Sequence, residues 1–317
     1  METIRKGGFS FDELALKLFE LQYTFNAVYR QYVDLIYTRK PAVGQVQDIP
    51  FLPIQFFKSY PVQTGQFKPQ VTFASSGTTG QIRSRHAIRD TSWYHYIARS
   101  CFNNAFDPWT VEESVHLAVL PNYAENKDSS LLHMVDHFMA ESSGLYFHSQ
   151  PRELMHYLEV NPDRKIAIWG VSFALYQWPE RLNCPPDTLV IETGGMKGRS
   201  AEITRLELHE NLGQQFLRAR ITSEYGMTEL LSQAYANRDG IFENKFTLKA
   251  LPRKINDPLS KEVHGQQAVL NFIDLANLDS CAFIATEDLG KVYSNGRFEV
   301  LGRLDHSDIR GCNLMVS

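Results

Sequence analysis

Between residues 116 and 191 the chain alternates two kinds of pattern. Short continuous apolar runs at 116–120, 145–147, 165–169 and 188–191 are separated by segments of helical spacing. Strands apolar on both faces must be covered on both sides, and strands joined through helices pair in parallel. Helix starts support the alternation: Ser129-Ser130 precede Leu132 and Val135, Pro151 opens the next helix, and helices are expected near 173–178 and 201–211. Upstream, Ser10-Phe11-Asp12-Glu13 is a capping box. It starts one helix carrying Leu14, Leu18, Leu21, Phe25, Val28, Tyr32 and Leu35 toward the core, stopped by Pro41. Residues 41–70 read as irregular, and Asp90-Thr91-Ser92 cap a helix to about Phe106. After Ser232 helical spacing fades, and short strands are expected at 246–251, 268–273, 282–286, 291–293 and 297–301. The expected fold is α/β, with a mostly parallel, multi-layer N-terminal lobe over 1–235 and a smaller β-rich lobe over 236–317.

Composition narrows the class of function. At 317 residues, 43% hydrophobic and 21% charged, the chain can bury more than one core, and a net charge of −4 gives no basic surface for nucleic acid. Cys101, Cys184, Cys281 and Cys312 are far apart, which argues for reduced thiols rather than a disulfide frame or zinc knuckle. No run suggests a membrane span or signal peptide, so a cytoplasmic location is expected.

The chemistry-bearing stretch is Ser75-Ser76-Gly77-Thr78-Thr79-Gly80, directly after the apolar run 71–74. Four hydroxyls and two glycines are poor core material. Glycines let a ligand approach the backbone, whose successive N–H groups form an anion site. It is not a Walker A loop, since no Gly-Lys-Ser/Thr follows, and Arg83, Arg85 and His86 offer positive charge beside it. A second stretch, Ser223-Glu224-Tyr225-Gly226-Met227-Thr228-Glu229, also follows an apolar run, as does Thr193-Gly194-Gly195. Ligands of open parallel sheets bind beyond the carboxyl ends of strands, so all three can meet in one crevice.

These stretches resemble the SGTTG and YGMTE signatures of the adenylate-forming superfamily, the acyl-activating enzymes that make acyl-AMP from ATP and a carboxylate. Gly302-Arg303-Leu304-Asp305 resembles its GRxD hinge. The chain runs only a few residues past Gly311, where long members continue into a mobile C-terminal domain with an assisting lysine. The short tail, Arg310-Gly311-Cys312-Asn313-Leu314-Met315, resembles the acyl-protein synthetases of the bacterial luciferase fatty-acid system.

The resemblance implies ATP and Mg²⁺, a fatty or other carboxylic acid substrate, and a downstream acyl reductase or carrier protein. It implies that Ser75, Ser76, Gly77, Thr78, Thr79 and Gly80 hold the β,γ-phosphates. Gly194, Gly195 and Met196 would lie along adenine with Tyr225 stacked on it. Thr228 would touch the α-phosphate and Glu229 bind Mg²⁺. Asp288, in Thr286-Glu287-Asp288-Leu289-Gly290, would accept from the ribose hydroxyls, and Arg303 would reach ribose or phosphate. Cys312 would take the acyl group. Lys197 and Arg199 are positional candidates for the cation that replaces the missing lysine.

Two rivals stand beside this reading. One is a ligase passing the acyl group to coenzyme A or a carrier; the other is a nucleotide-binding scaffold with reduced catalysis. His133 and His137, four apart on a helix, have metal-compatible spacing but lack a neighbouring Glu and an obvious third ligand. Cys101, Cys184 and Cys281 read as buried packing residues.

Overall fold

A computed structural model of the chain describes residues 1–37, 40–76, 82–121, 126–148, 150–194, 203–255, 257, 259–261 and 263–304. In chain order, helices α1 (Glu2–Lys6), α2 (Phe11–Phe25) and α3 (Ala27–Ile36) precede strand β1 (Leu52–Pro53) and the short α4 (Phe56–Ser59). A hairpin, β2 (Val71–Ala74) and β3 (Arg85–Ile88), leads to α5 (Thr91–Phe106). Then follow β4 (Val115–Val119), α6 (Ser130–Ser142), β5 (Leu145–Tyr146), α7 (Pro151–Val160), β6 (Ile166–Val171) and α8 (Ser172–Tyr176). After them come β7 (Leu182–Asn183), β8 (Thr188–Thr193), α9 (Arg205–Gln215), β9 (Phe216–Leu217), β10 (Arg220–Tyr225) and β11 (Ala234–Ala236). The described chain closes with β12 (Ile241–Phe242), β13 (Leu248–Arg253), β14 (Gln267–Asp274), β15 (Phe283–Val292) and β16 (Phe298–Arg303).

The alternating apolar runs form one sheet in the order β11-β10-β8-β6-β4-β5, parallel except for β11. Successive residues point to opposite faces. Leu117, Ile168 and Val190 face a core with Leu154 of α7, Leu175 of α8 and Leu212 of α9. Ala118, Trp169 and Ile191 belong to the other core with Phe102 of α5 and Phe138 of α6. Burial on both faces explains why these strands read as continuous apolar runs.

The second sheet runs β12-β16-β15-β14-β13, antiparallel throughout, and β1 adds to β15 in parallel. The segment before the hairpin belongs to it by contact: Phe19 and Tyr29 pack on Phe283.

Two expectations need correction. The single helix from Ser10 to Pro41 is two helices. Asn26 breaks it, because its side chain accepts the Tyr29 N–H at 3.0 Å and donates to Ser280 O at 3.0 Å. Leu21, Phe25 and Leu35, expected to face the core, are exposed; Leu18 is buried as expected, and Ala15, Phe19, Tyr29 and Val33 are buried beside it. The separate strands at 282–286 and 291–293 are one strand, β15, with a register shift at Leu289/Gly290. The shift leaves Leu301 of β16 without a register partner, and a Cβ on Gly290 would lie 2.1 Å from Glu299 O. No helix among the described residues is long and apolar enough to cross a membrane.

Candidate functional site

The hairpin carries the hydroxyl- and glycine-rich loop. Ser75 N–H donates to Ser84 O at 3.1 Å, and Ser84 N–H donates to Ser75 Oγ at 3.0 Å, which closes the hairpin across the base of the loop. Arg83 spans the same base: Nε donates to Ser75 O at 2.5 Å, Nη2 to Ala74 O at 3.2 Å, and Nη1 pairs with Asp128 at 2.7 Å. Two of the three groups expected to offer positive charge beside the loop are therefore committed elsewhere. Arg83 is engaged in holding backbone, Arg85 is exposed, and His86 is buried, with burial lowering its pKa to about 4.

Strand β10 delivers Tyr225 between the two sheets. Its ring packs on Phe242, Phe272 and Phe298 at centroid distances of 5.7, 5.2 and 5.6 Å. Its hydroxyl donates to Asp288 Oδ2 at 2.7 Å. Burial, then the Asp288 charge, pushes the phenol well above its ordinary pKa, so it stays a neutral donor. Asp288 and Arg303 are register partners on β15 and β16, and Arg303 Nε donates to Asp288 Oδ1 at 3.2 Å.

Thr228 and Glu229 follow in the same loop. The Thr228 carbonyl lies 2.7 Å from His86 Nδ1. Glu229 is 4% exposed. Burial raises its pKa, while the Ser84 hydroxyl and the Arg303 charge work against that rise. It makes no ion pair with a described residue. A buried carboxylate with no direct ion pair among the described residues suits a hard divalent cation. A Cβ on Gly226 would lie 2.3 Å from Glu224 Oε1, so a side chain there requires the Glu224 carboxylate to shift.

On the next strand, Gly194 adopts φ 75° and its carbonyl accepts from Ser172 Oγ at 3.0 Å. Thr193 donates through its hydroxyl to Glu224, and burial raises that carboxyl to about 7. Neighbouring Glu192 goes the other way. Burial opposes its charge, but His209, Arg205 and Ser172 outweigh burial and lower its pKa.

The structure thus links Ser75 through Ser84 to Glu229, joins Tyr225 to Asp288 and Asp288 to Arg303, and sets the Arg303 and Asp288 charges against Glu229; Thr228 precedes Glu229 in its loop, and Ser76 is exposed. Gly77, Thr78, Thr79, Gly80, Gly195, Met196, Lys197, Arg199 and Cys312 lie outside the described residues. Sequence reasoning missed Ser84, which joins the loop base to Glu229, and Asn277, whose link to Glu229 spans 48 residues without a local pattern. The pair His133 and His137 does meet a third imidazole, His95, stacked on His137 at 3.7 Å. Still, no group of three or more His, Cys, Asp or Glu among the described residues is arranged to hold a metal. Cys101, Cys184 and Cys281 are buried. A solvent-open cleft of about 520 Å³ between Glu112, Glu113, Asp163 and Lys165 shares no residue with this site.

No family model matches the sequence, and no curated protein matches it either. Solved structures do. ATP-bound MatB from Rhodopseudomonas palustris superposes with a TM-score of 0.54 at 14% identity, over 73% of this chain and 47% of that one. O-succinylbenzoate coenzyme A synthetase (MenE) from Bacillus subtilis, in complex with ATP and magnesium ion, gives 0.51 at 16% identity, over 73% and 49%. The chain spans about half the length of the solved structures it matches. At such identities the likeness shows the fold, which is that of the large domain of adenylate-forming enzymes.

Proposed function

We propose that the chain activates a carboxylic acid with ATP. A carboxylate oxygen attacks the α-phosphorus, the bond to the bridging oxygen breaks, and pyrophosphate leaves with the electron pair, giving acyl-AMP. No base is required, because the acid is already ionised. The barrier comes from like charges and from alignment, so catalysis needs charge neutralisation and in-line positioning.

In this reading Ser75 and Ser76, with the rest of their loop, grip the β,γ-phosphates. Tyr225 stacks on adenine beside Gly194, Gly195 and Met196, Asp288 accepts from the ribose hydroxyls, and Arg303 reaches ribose or phosphate. Thr228 contacts the α-phosphate. When bound, Mg²⁺ supplies neutralisation of phosphate charge, and Glu229 is the residue that would hold it. The observation that carries the reading is the meeting of Ser84 with Glu229 and of Tyr225 with Asp288 and Arg303. These contacts join residues of three motifs spread over more than 200 residues of sequence, which supports the reading.

The same proposal extends to the acyl-protein synthetase type. The Cys312 thiolate attacks the acyl carbonyl of a fatty acyl-AMP, AMP departs, and a thioester forms for a downstream reductase or carrier in the cytoplasm. The tail resemblance supports this step. A second reading, transfer to coenzyme A, is supported by the coenzyme A synthetase among the similar structures. Acid-dependent exchange of pyrophosphate into ATP tests activation, and hydroxylamine-labile labelling of the chain by a radioactive acid separates the two acceptors.

A further inference from the structure

The loop that carries Thr228 and Glu229 is held by buried side chains from two other parts of the chain. His86 Nδ1 donates to Thr228 O at 2.7 Å. Asn277 Nδ2 donates to Glu229 O at 2.8 Å and to Cys281 O at 3.0 Å. Asp274 Oδ2 accepts the N–H groups of Leu231 at 2.7 Å and Ser232 at 3.0 Å. The holders also meet one another: Asn277 N–H donates to Asp274 O at 3.0 Å, and Asn277 Oδ1 lies 3.1 Å from His86 Nε2. His86, Asp274 and Asn277 are at most 1% exposed.

Orientation follows from partners. The Asn277 amide faces two carbonyls, so its nitrogen must be on that side and its oxygen toward the imidazole. Both His86 nitrogens face acceptor oxygens, and the shorter contact, Nδ1 to Thr228 O, is the one that fixes the loop. His86 stands on β3, on the outgoing arm of the phosphate-loop hairpin, while Asn277 follows β14 of the antiparallel sheet. The Glu229 loop is therefore tied both to the hairpin and to the segment after β14.

We propose that His86 and Asn277 are positioning residues, which hold the Thr228 and Glu229 carbonyls so that the Glu229 carboxylate keeps a fixed place relative to the phosphate loop. The proposal rests on the role given to Glu229 above. Groups that orient a metal or phosphate ligand act through geometry, and a displacement of about 1 Å costs on the order of 10²-fold in rate. The nucleoside contacts at Tyr225, Asp288 and Arg303 do not pass through these two residues.

The test uses His86→Gln, His86→Asn, Asn277→Asp and the wild type of the full chain. An asparagine at 86 keeps an amide N–H near the Nδ1 position, whereas glutamine moves it toward Nε2. Asn277→Asp removes both donors and keeps the shape. Three readouts are taken: kcat and KM for ATP in acid-dependent pyrophosphate exchange, the Mg²⁺ concentration for half-maximal exchange, and backbone hydrogen exchange of residues 228–232 in the ligand-free protein. His86→Gln and Asn277→Asp should lower kcat about tenfold or more and raise the Mg²⁺ requirement, with KM for ATP within about twofold. They should also speed exchange of the loop amides, and His86→Asn should recover most of each effect. Unchanged kcat in both variants, or a fall in His86→Asn as deep as in His86→Gln and in step with lost thermal stability, overturns the positioning role. If His86→Gln does not fold, Asn277→Asp decides the question. Absence of exchange in the wild type overturns the Glu229 reading, and the positioning role with it.

Discussion

The Tyr225 hydroxyl donates to Asp288 at 2.7 Å and so ties the last strand residue of the parallel sheet to the longest strand of the antiparallel one. One carboxylate serves both the fold and the proposed ribose contact, and two substitutions separate these roles. Asp288→Ala leaves a buried phenol without an acceptor, which costs about 1–3 kcal/mol, and removes the ribose contact. Asp288→Asn keeps an acceptor for Tyr225. Both should raise KM for ATP about tenfold with a smaller fall in kcat, because a contact shared by substrate and transition state shows in KM. Only the alanine variant should lose the full stability. An unchanged KM in both would leave Asp288 a structural residue.

Glu229→Gln keeps the shape and the Ser84 hydrogen bond but removes the charge. Pyrophosphate exchange should fall about 10²–10³-fold, as when one preorganised charge-stabilising group is lost. Since burial raises the Glu229 pKa, the glutamine variant should be at least as thermostable as the wild type in the absence of ligand. Normal exchange in this variant removes Glu229 from the mechanism.

Glu224 gives a pH signature. Its pKa is raised by burial to about 7 from an ordinary value near 4.5, so the folded chain binds a proton that the unfolded chain releases in between. Stability from this group is full below about 4.5 and is lost as pH rises through about 7. Buried neutral His86 and His95, both lowered to about 4, act in the opposite sense below about 6.5. The difference between Glu224→Gln and wild type isolates the carboxyl: the variant should gain in relative melting temperature from pH 5 to pH 8. A flat difference contradicts the assignment.

Cys312→Ser should leave acyl-AMP formation intact and abolish hydroxylamine-labile acylation of the chain. Cys101, Cys184 and Cys281 are poor substitutes, because burial pushes each thiol up to about 12. Labile acylation persisting in the serine variant would assign the thioester elsewhere.

What was legible in the sequence was local. The Ser129 and Asp90 caps, the apolar runs of the parallel sheet and the hydroxyl-rich loop each carry their signal within a few residues. The break at Asn26 was not, because its cause is a hydrogen bond to Ser280, 254 residues away. The continuity of β15 between 286 and 291 was not legible either, because the residues that join its halves find their β16 partners only in the folded sheet. Arg83 looked like a free cation because its partners, two carbonyls and Asp128, are defined only once the hairpin folds. Similarly, His86 and Asn277 are unremarkable in one dimension and meet only where two sheets enclose the Glu229 loop.

The central claim is acid activation by ATP, and its most direct measurement is exchange of labelled pyrophosphate into ATP with Mg²⁺ across carboxylic acids of increasing chain length. The account predicts exchange that requires both the acid and the metal and that falls sharply in Glu229→Gln. Folded protein that binds ATP yet shows no acid-dependent exchange with any chain length would contradict it.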